Sequence, residues 1–141
     1  MLSVQILCVG TLKEPYLRDA VKEYTKRIGG YAKLTIRETK NDRELIPLLP
    51  PKAYKIALCV EGKQLSSEEL AEKLEDLPNR GISEVVFVIG DSDGMGEDVK
   101  AACDLRLSFS KMTFPHQLMR VILLEQIYRA LSILNHGKYH K

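Results

Sequence analysis

The sequence has no tryptophan, only three cysteines, and just six prolines and nine glycines in 141 residues. So little proline and glycine, beside 45% hydrophobic and 28% charged residues, excludes a disordered, collagenous or low-complexity chain. The length suits one domain, and residues 1–141 read as a single unit without a linker or repeat. Three cysteines with no CxxC spacing supply no disulfide framework. Cys8 and Cys59 lie in apolar runs, where a free thiol acts as a small hydrophobe, so a reducing, cytoplasmic setting is expected. No basic residue precedes Lys13 and the first apolar run is short, which argues against a secretion signal. The most apolar stretch, Leu118 to Leu134, is interrupted by Arg120, Glu125 and Arg129, so no membrane span is expected.

Charge of one sign is also nearly absent. The chain carries 21 basic and 19 acidic residues, a net +2, which excludes a nucleic-acid binder held by bulk charge. The balance is uneven, however. From Leu105 onward six basic residues face one acid, Glu125, whereas residues 1–104 hold 15 basic and 18 acidic residues. All three histidines, His116, His136 and His140, lie in the basic part. An acidic body with a basic, histidine-bearing last quarter points to a local anionic partner.

Two periodicities alternate along the chain. Strands are expected over Leu2–Val9, Lys33–Thr39, Tyr54–Val60, Glu84–Ile89 and Leu105–Phe109. Helices are expected from about Glu14 to Ile28, from Ser66 to about Leu77 before Pro78, weakly over Glu97–Cys103, and from Pro115 to about Asn135. Asn41–Pro51 reads as a short helix or loop. Ser66-Ser67-Glu68-Glu69 has the spacing of a capping box, with Leu65 and Leu70 as its hydrophobic staple. The continuous apolar run Val85–Ile89 suits a parallel strand covered on both faces. The pattern predicts an α/β domain with a mainly parallel sheet and helices on both faces. Ligands bind such sheets beyond the carboxyl ends of the strands. Three loops qualify here: Glu61–Gln64, Gly90–Gly96 and Ser110–Pro115.

Each loop admits a plain and a chemical reading. Gly90-Asp91-Ser92-Asp93-Gly94-Met95-Gly96 is either a surface turn or a backbone cradle for a cofactor, and its spacing fits neither a dinucleotide fingerprint nor a P-loop. Asp91 and Asp93 are oxygen ligands of the kind magnesium takes, but no third carboxylate stands at metal-site spacing, so no metal is expected. Phe109, Met112 and Phe114 either pack in the core or line a slot for an adenine ring. His116, at a helix start, is a general base or an ordinary surface histidine. The helix after Pro115 is apolar nearly all round, as a central helix or a subunit interface would be. The tail Lys138-Tyr139-His140-Lys141 is a frayed terminus or a group of ring, imidazole and cations suited to an unpaired RNA base and its phosphates.

Taken together, Phe87–Gly90, Leu107–Arg120, Glu125–Ala130 and the terminal Tyr139-His140-Lys141 closely resemble the RlmH family, and Val9-Gly10 and Glu61-Gly62-Lys63 extend the likeness over essentially the whole chain. The resemblance implies a SPOUT fold with a C-terminal trefoil knot, and a homodimer without a separate RNA-binding domain. It implies S-adenosylmethionine as methyl donor and N3 of a pseudouridine in large-subunit (23S) ribosomal RNA as acceptor, within the ribosome or large subunit. By matching position it assigns donor contacts to Leu58, Gly90, Phe109, Ser110, Lys111, Met112, Thr113 and Phe114. His116, Tyr139 and His140 become candidates for taking the N3 proton, and Arg120 for holding phosphate or orienting the base. Asp91 stands where the family usually has a second glycine, adding a carboxylate near the expected site. The expectation from another class is a nucleotide-binding regulatory module, with the Gly90 loop holding a ligand and no chemistry following.

Overall fold

A computed structural model describes residues 2–141. Five strands form one parallel sheet: β1 (Ser3–Val9), β2 (Lys33–Thr39), β3 (Tyr54–Gln64), β4 (Glu84–Ile89) and β5 (Leu105–Ser108), in the order β2-β1-β4-β3-β5. Four helices intervene: α1 (Pro15–Ile28), α2 (Ser67–Asn79), α3 (Glu97–Ala101) and α4 (His116–Leu134), with two 3-10 turns at Asp42–Glu44 and Ile46–Leu48. The expected α/β architecture with a parallel sheet is therefore what forms.

The two sides of the sheet differ in depth. Alternate residues of β1 and β4, among them Val4, Ile6, Val85 and Phe87, join Ile56, the α2 leucines and the α4 residues Leu123, Leu124 and Ile127 in one core. The opposite residues, Leu7, Val9, Val86 and Val88, form a smaller cluster with Leu45, Ala53 and Val99, flanked by Leu48, Leu49, Met95 and Cys103, beneath the 3-10 turns and α3. Each fully buried Leu, Ile or Phe side chain is worth roughly 1.5–3 kcal/mol of transfer free energy, so the α4 side dominates the stability. β4 is sandwiched by both cores, which is why its apolar run is unbroken.

Local signals decide the element ends. The Ser66 Oγ accepts the Glu69 N–H (3.0 Å) and the Glu69 carboxylate accepts the Ser66 N–H (2.8 Å), the reciprocal capping box. Helix α2 runs past the expected stop to Asn79, with Pro78 inside its last turn. Conversely, α3 ends at Ala101 and β5 at Ser108, each shorter than expected. Strand β3 is longer. Leu58 and Lys63 both pair with Leu107, so residues 59–62 bulge outward before Lys63 and Gln64 return to the edge of β5. Glu61–Gln64 is thus part of a bulged strand and not a free loop, because Gly62 lets the backbones touch: a Cβ there would lie 2.7 Å from the Arg106 carbonyl carbon.

Candidate active site at the strand ends

The carboxyl ends of β3, β4 and β5 and the start of α4 enclose a cleft of about 480 Å³. The β3 bulge supplies Cys59, Val60 and Glu61, the turn after β4 supplies Gly90 to Met95, and the segment from Ser108 to His116 closes the third side. Of the eight expected donor contacts, Leu58, Gly90, Phe109, Ser110, Met112, Thr113 and Phe114 line this cleft; Lys111 is exposed beside it. His116 is on the same wall.

The wall combines soft, aromatic and polar groups. Phe109 also packs against the main core, so its two readings coexist. Met112 lines the cleft and is 74% exposed. Ser108 and Ser110 shape the last loop: the Ser108 hydroxyl donates to the Ser110 carbonyl (2.9 Å) and the Ser110 hydroxyl accepts the Met112 N–H (3.0 Å). A Cβ on Gly90 would meet Met95 Cβ at 2.9 Å, so only glycine allows the turn to curl back and open its backbone to the cleft. Asp91 is spent inside that turn, its carboxylate accepting the Ser92 N–H at 2.6 Å. The turn is braced from the thin face, where the Asp42 carboxylate accepts the Gly96 N–H at 2.9 Å. A cleft of this volume, with aromatic and thioether walls and freed backbone, fits an adenosine-bearing methyl donor. Among the described residues, no group of three His, Cys, Asp or Glu side chains is arranged to hold a metal ion.

The other three expected catalytic residues lie off the wall of their own chain's cleft. Arg120 is 3% exposed. One of its terminal nitrogens donates to the Glu38 carboxylate (2.6 Å) and the other to the Gly10 carbonyl (3.0 Å), while its Nε has no protein partner. Burial of the guanidinium keeps it from a phosphate and makes it a clamp between the end of β1 and the start of α4. The signal was in the sequence: Arg120 lies three, four and seven residues before Leu123, Leu124 and Ile127, on the buried stripe of α4. Beside it, burial pushes the Cys8 thiol up to about 11.

Tyr139 and His140 are fixed on the far half of α4. His136 takes a left-handed conformation (φ 58°), the Gly137 N–H donates to the Ser132 carbonyl and the His136 N–H to that of Ile133, a Schellman turn that sends the tail back along the helix. Tyr139 stacks edge-on against Tyr128 (centroids 4.7 Å apart), and its hydroxyl donates to Glu125 at 2.7 Å. The guanidinium of Arg129 lies over the Tyr139 ring and donates to Glu125 at 2.8 Å. His140 meets Arg129 through Nδ1 (3.0 Å) and Glu68 through Nε2 (2.9 Å). The tail is held rather than frayed. Glu125, Arg129 and Glu68 carry this arrangement; all three lay within segments singled out by sequence, Glu68 only as part of a capping box.

A parallel five-stranded α/β sheet with a cleft beyond its carboxyl ends is built to bind a ligand there, and a family model described as "Predicted SPOUT methyltransferase" matches residues 2–140. A Fusobacterium nucleatum protein named ribosomal RNA large subunit methyltransferase H is 39% identical over 155 residues, spanning 99% of this chain and all of that protein. A Methanococcus maripaludis protein provisionally given the same name is 42% identical over 159 residues, with 99% of this chain and all of that protein covered. The chain belongs to the RlmH family of SPOUT methyltransferases. At the level of fold alone, the crystal structure of a tRNA (m1G37) methyltransferase from Aquifex aeolicus aligns with a TM-score of 0.56 at 14% identity, over 90% of this chain and 69% of that one.

Proposed function

We propose that this chain methylates N3 of a pseudouridine in large-subunit (23S) ribosomal RNA with S-adenosylmethionine as donor, working as a cytoplasmic homodimer on the ribosome or large subunit. The observation that carries the reading is the cleft, which gathers seven of the eight expected donor contacts and His116 on one wall. The relatives' names supply the substrate class. When bound, S-adenosylmethionine supplies a methyl group on a positively charged sulfur.

The chain's own residues then do three things. The walls of Leu58, Gly90 and Phe109 to Phe114 hold the donor and exclude water, so that donor and acceptor meet in a near-attack geometry. His116, on the cleft side of α4's first turn, accepts the N3 proton of the RNA base. Arg120 positions His116 indirectly, by tying that turn to Gly10. Because Tyr139 and His140 sit on the far half of α4, they reach a cleft only as the tail of a second copy, which makes the site composite and the dimer necessary. The knot belongs to the same reading, through the family.

Transfer of a labelled methyl group to large ribosomal subunits tests the proposal. Label is expected at a pseudouridine, and none from subunits lacking that modification. Ligand binding without transfer to any ribosomal particle would overturn it in favour of a regulatory module.

A further inference from the structure

The lining of the cleft carries two unlike sets of groups. One is apolar: Phe109, Met112, Phe114 and Met95. The other is charged: Glu61 on the β3 bulge and Lys100 on α3 form an ion pair. Lys100 is the single lysine or arginine on the wall, and its side chain is only 13% exposed, whereas that of Glu61 is 54% exposed. The third charged group there, Asp91, is committed to its own turn. The bulge that brings Glu61 to the cleft depends on Gly62 touching the β5 backbone, so this acid is placed by the fold and is not a loose surface side chain.

An ion pair with little net charge is a poor receptor for a simple anion or cation. It is a good one for a zwitterion. A Lys ammonium has three donors and a carboxylate about four acceptor sites, so each partner can keep the other and still take an oppositely charged group. Two antiparallel dipoles then form a ring in which every charge has two opposite neighbours, offsetting the desolvation that would penalise a lone charge. We propose that Glu61 and Lys100 read the amino-acid end of the methyl donor, Lys100 taking its α-carboxylate and Glu61 its α-ammonium, while the apolar groups take the adenine. The inference rests on the cleft being the donor site, and assigns selectivity within it.

Titration calorimetry on the full chain with two probes separates these levels. S-adenosylhomocysteine has both ends; 5′-methylthioadenosine keeps the adenosine and sulfur and lacks the amino-acid end. The wild-type chain is expected to bind the first at least tenfold more tightly. Lys100→Met and Glu61→Gln should each cut that preference fivefold or more, with methylthioadenosine affinity within twofold of wild type, which also certifies the fold. Lys100→Arg should keep most of the preference. An unchanged preference in both variants overturns the proposal, and so does an equal loss for both probes, which would put the pair on the ribose or in the fold alone. A wild-type chain that binds methylthioadenosine without preferring S-adenosylhomocysteine overturns the subsite but leaves the donor cleft standing. A wild-type chain that binds neither overturns both.

Discussion

Helix α4 carries an Arg–Glu pair near each end, and the two are built for different work. Near the start, Arg120 is almost fully buried and joins Glu38 to the Gly10 carbonyl. Toward the end, Arg129 pairs with Glu125 four residues earlier, its side chain 25% exposed, and both also touch the tail. The same residue types, at similar distances, therefore make a structural clamp in one place and a releasable latch in the other. Depth makes the difference. Arg120 is 3% exposed against 25% for Arg129, so truncating it empties a buried site and unpairs the Gly10 carbonyl, whereas water can take over the contacts of Arg129; the carboxylate of Glu38 itself stays open to solvent.

The largest expected effect is at the clamp. Arg120→Ala should lose about 1–3 kcal/mol in urea denaturation, the cost of leaving a hydrogen-bonding group without its partner in a buried site, while Arg129→Ala should lose about 1 kcal/mol or less. Similar losses at both ends would abolish the distinction between clamp and latch. Methyl transfer in folded Arg120→Ala should fall as well, since the turn that carries His116 loses its tie to Gly10, while donor affinity holds because the side chain is off the cleft wall.

A smaller effect is expected at the latch. Tyr139→Phe and Glu125→Gln should each change global stability by about 0.5–1.5 kcal/mol, the net worth of one hydrogen bond. Backbone amide exchange at residues 137–141 should accelerate in both. If the tail completes a second subunit's site, methyl transfer to large subunits falls while donor affinity holds. A variant with a loose tail and full turnover would remove the tail from the reaction. High salt offers a gentler version: at 1 M the screening length is about 3 Å, so tail exchange should quicken while the clamp's contribution is preserved.

The same contrast explains what the sequence made legible. Strands and helices were readable where burial imposes a period: Val85–Ile89 can only be a strand covered on both faces, and Ser66 with Glu69 announces its helix start in side-chain chemistry. The two Gly- or Pro-bounded loops of the cleft were readable because strand ends gather ligands in parallel sheets. The β3 bulge was not, since Glu61-Gly62-Lys63 is polar and its extended state is dictated by β5, some 40 residues away. Arg120 was assigned to phosphate or to the base from residue type and resemblance; its burial follows from its helical position on the apolar stripe of α4. The tail was undecidable because its anchors Glu125 and Glu68 lie in two different helices, and only packing brings them together. Lys100 drew no attention for the same reason: nothing local marks a lysine on a weak five-residue helix as part of a cleft.

The subtlest test of the latch follows one proton. The Glu125 carboxylate, accepting the Tyr139 hydroxyl, pushes that phenol up from 10.0 to about 12. Ionising Tyr139 would set a phenolate against a carboxylate and destroy the bond that holds the tail. Since the folded value lies above the unfolded one, the latch's contribution is complete below pH 10, declines as the unfolded chain ionises first, and is gone above about 12. Tyrosinate absorbance at high pH should therefore show a late component belonging to one of the six tyrosines. That component should vanish in Tyr139→Phe and move back toward 10.0 in Glu125→Gln, with tail amide exchange rising over the same interval in the wild-type chain. An absorbance curve that Glu125→Gln leaves untouched would mean that Tyr139 and Glu125 do not share a hydrogen bond in solution, and the tail would then not be latched to the far end of α4.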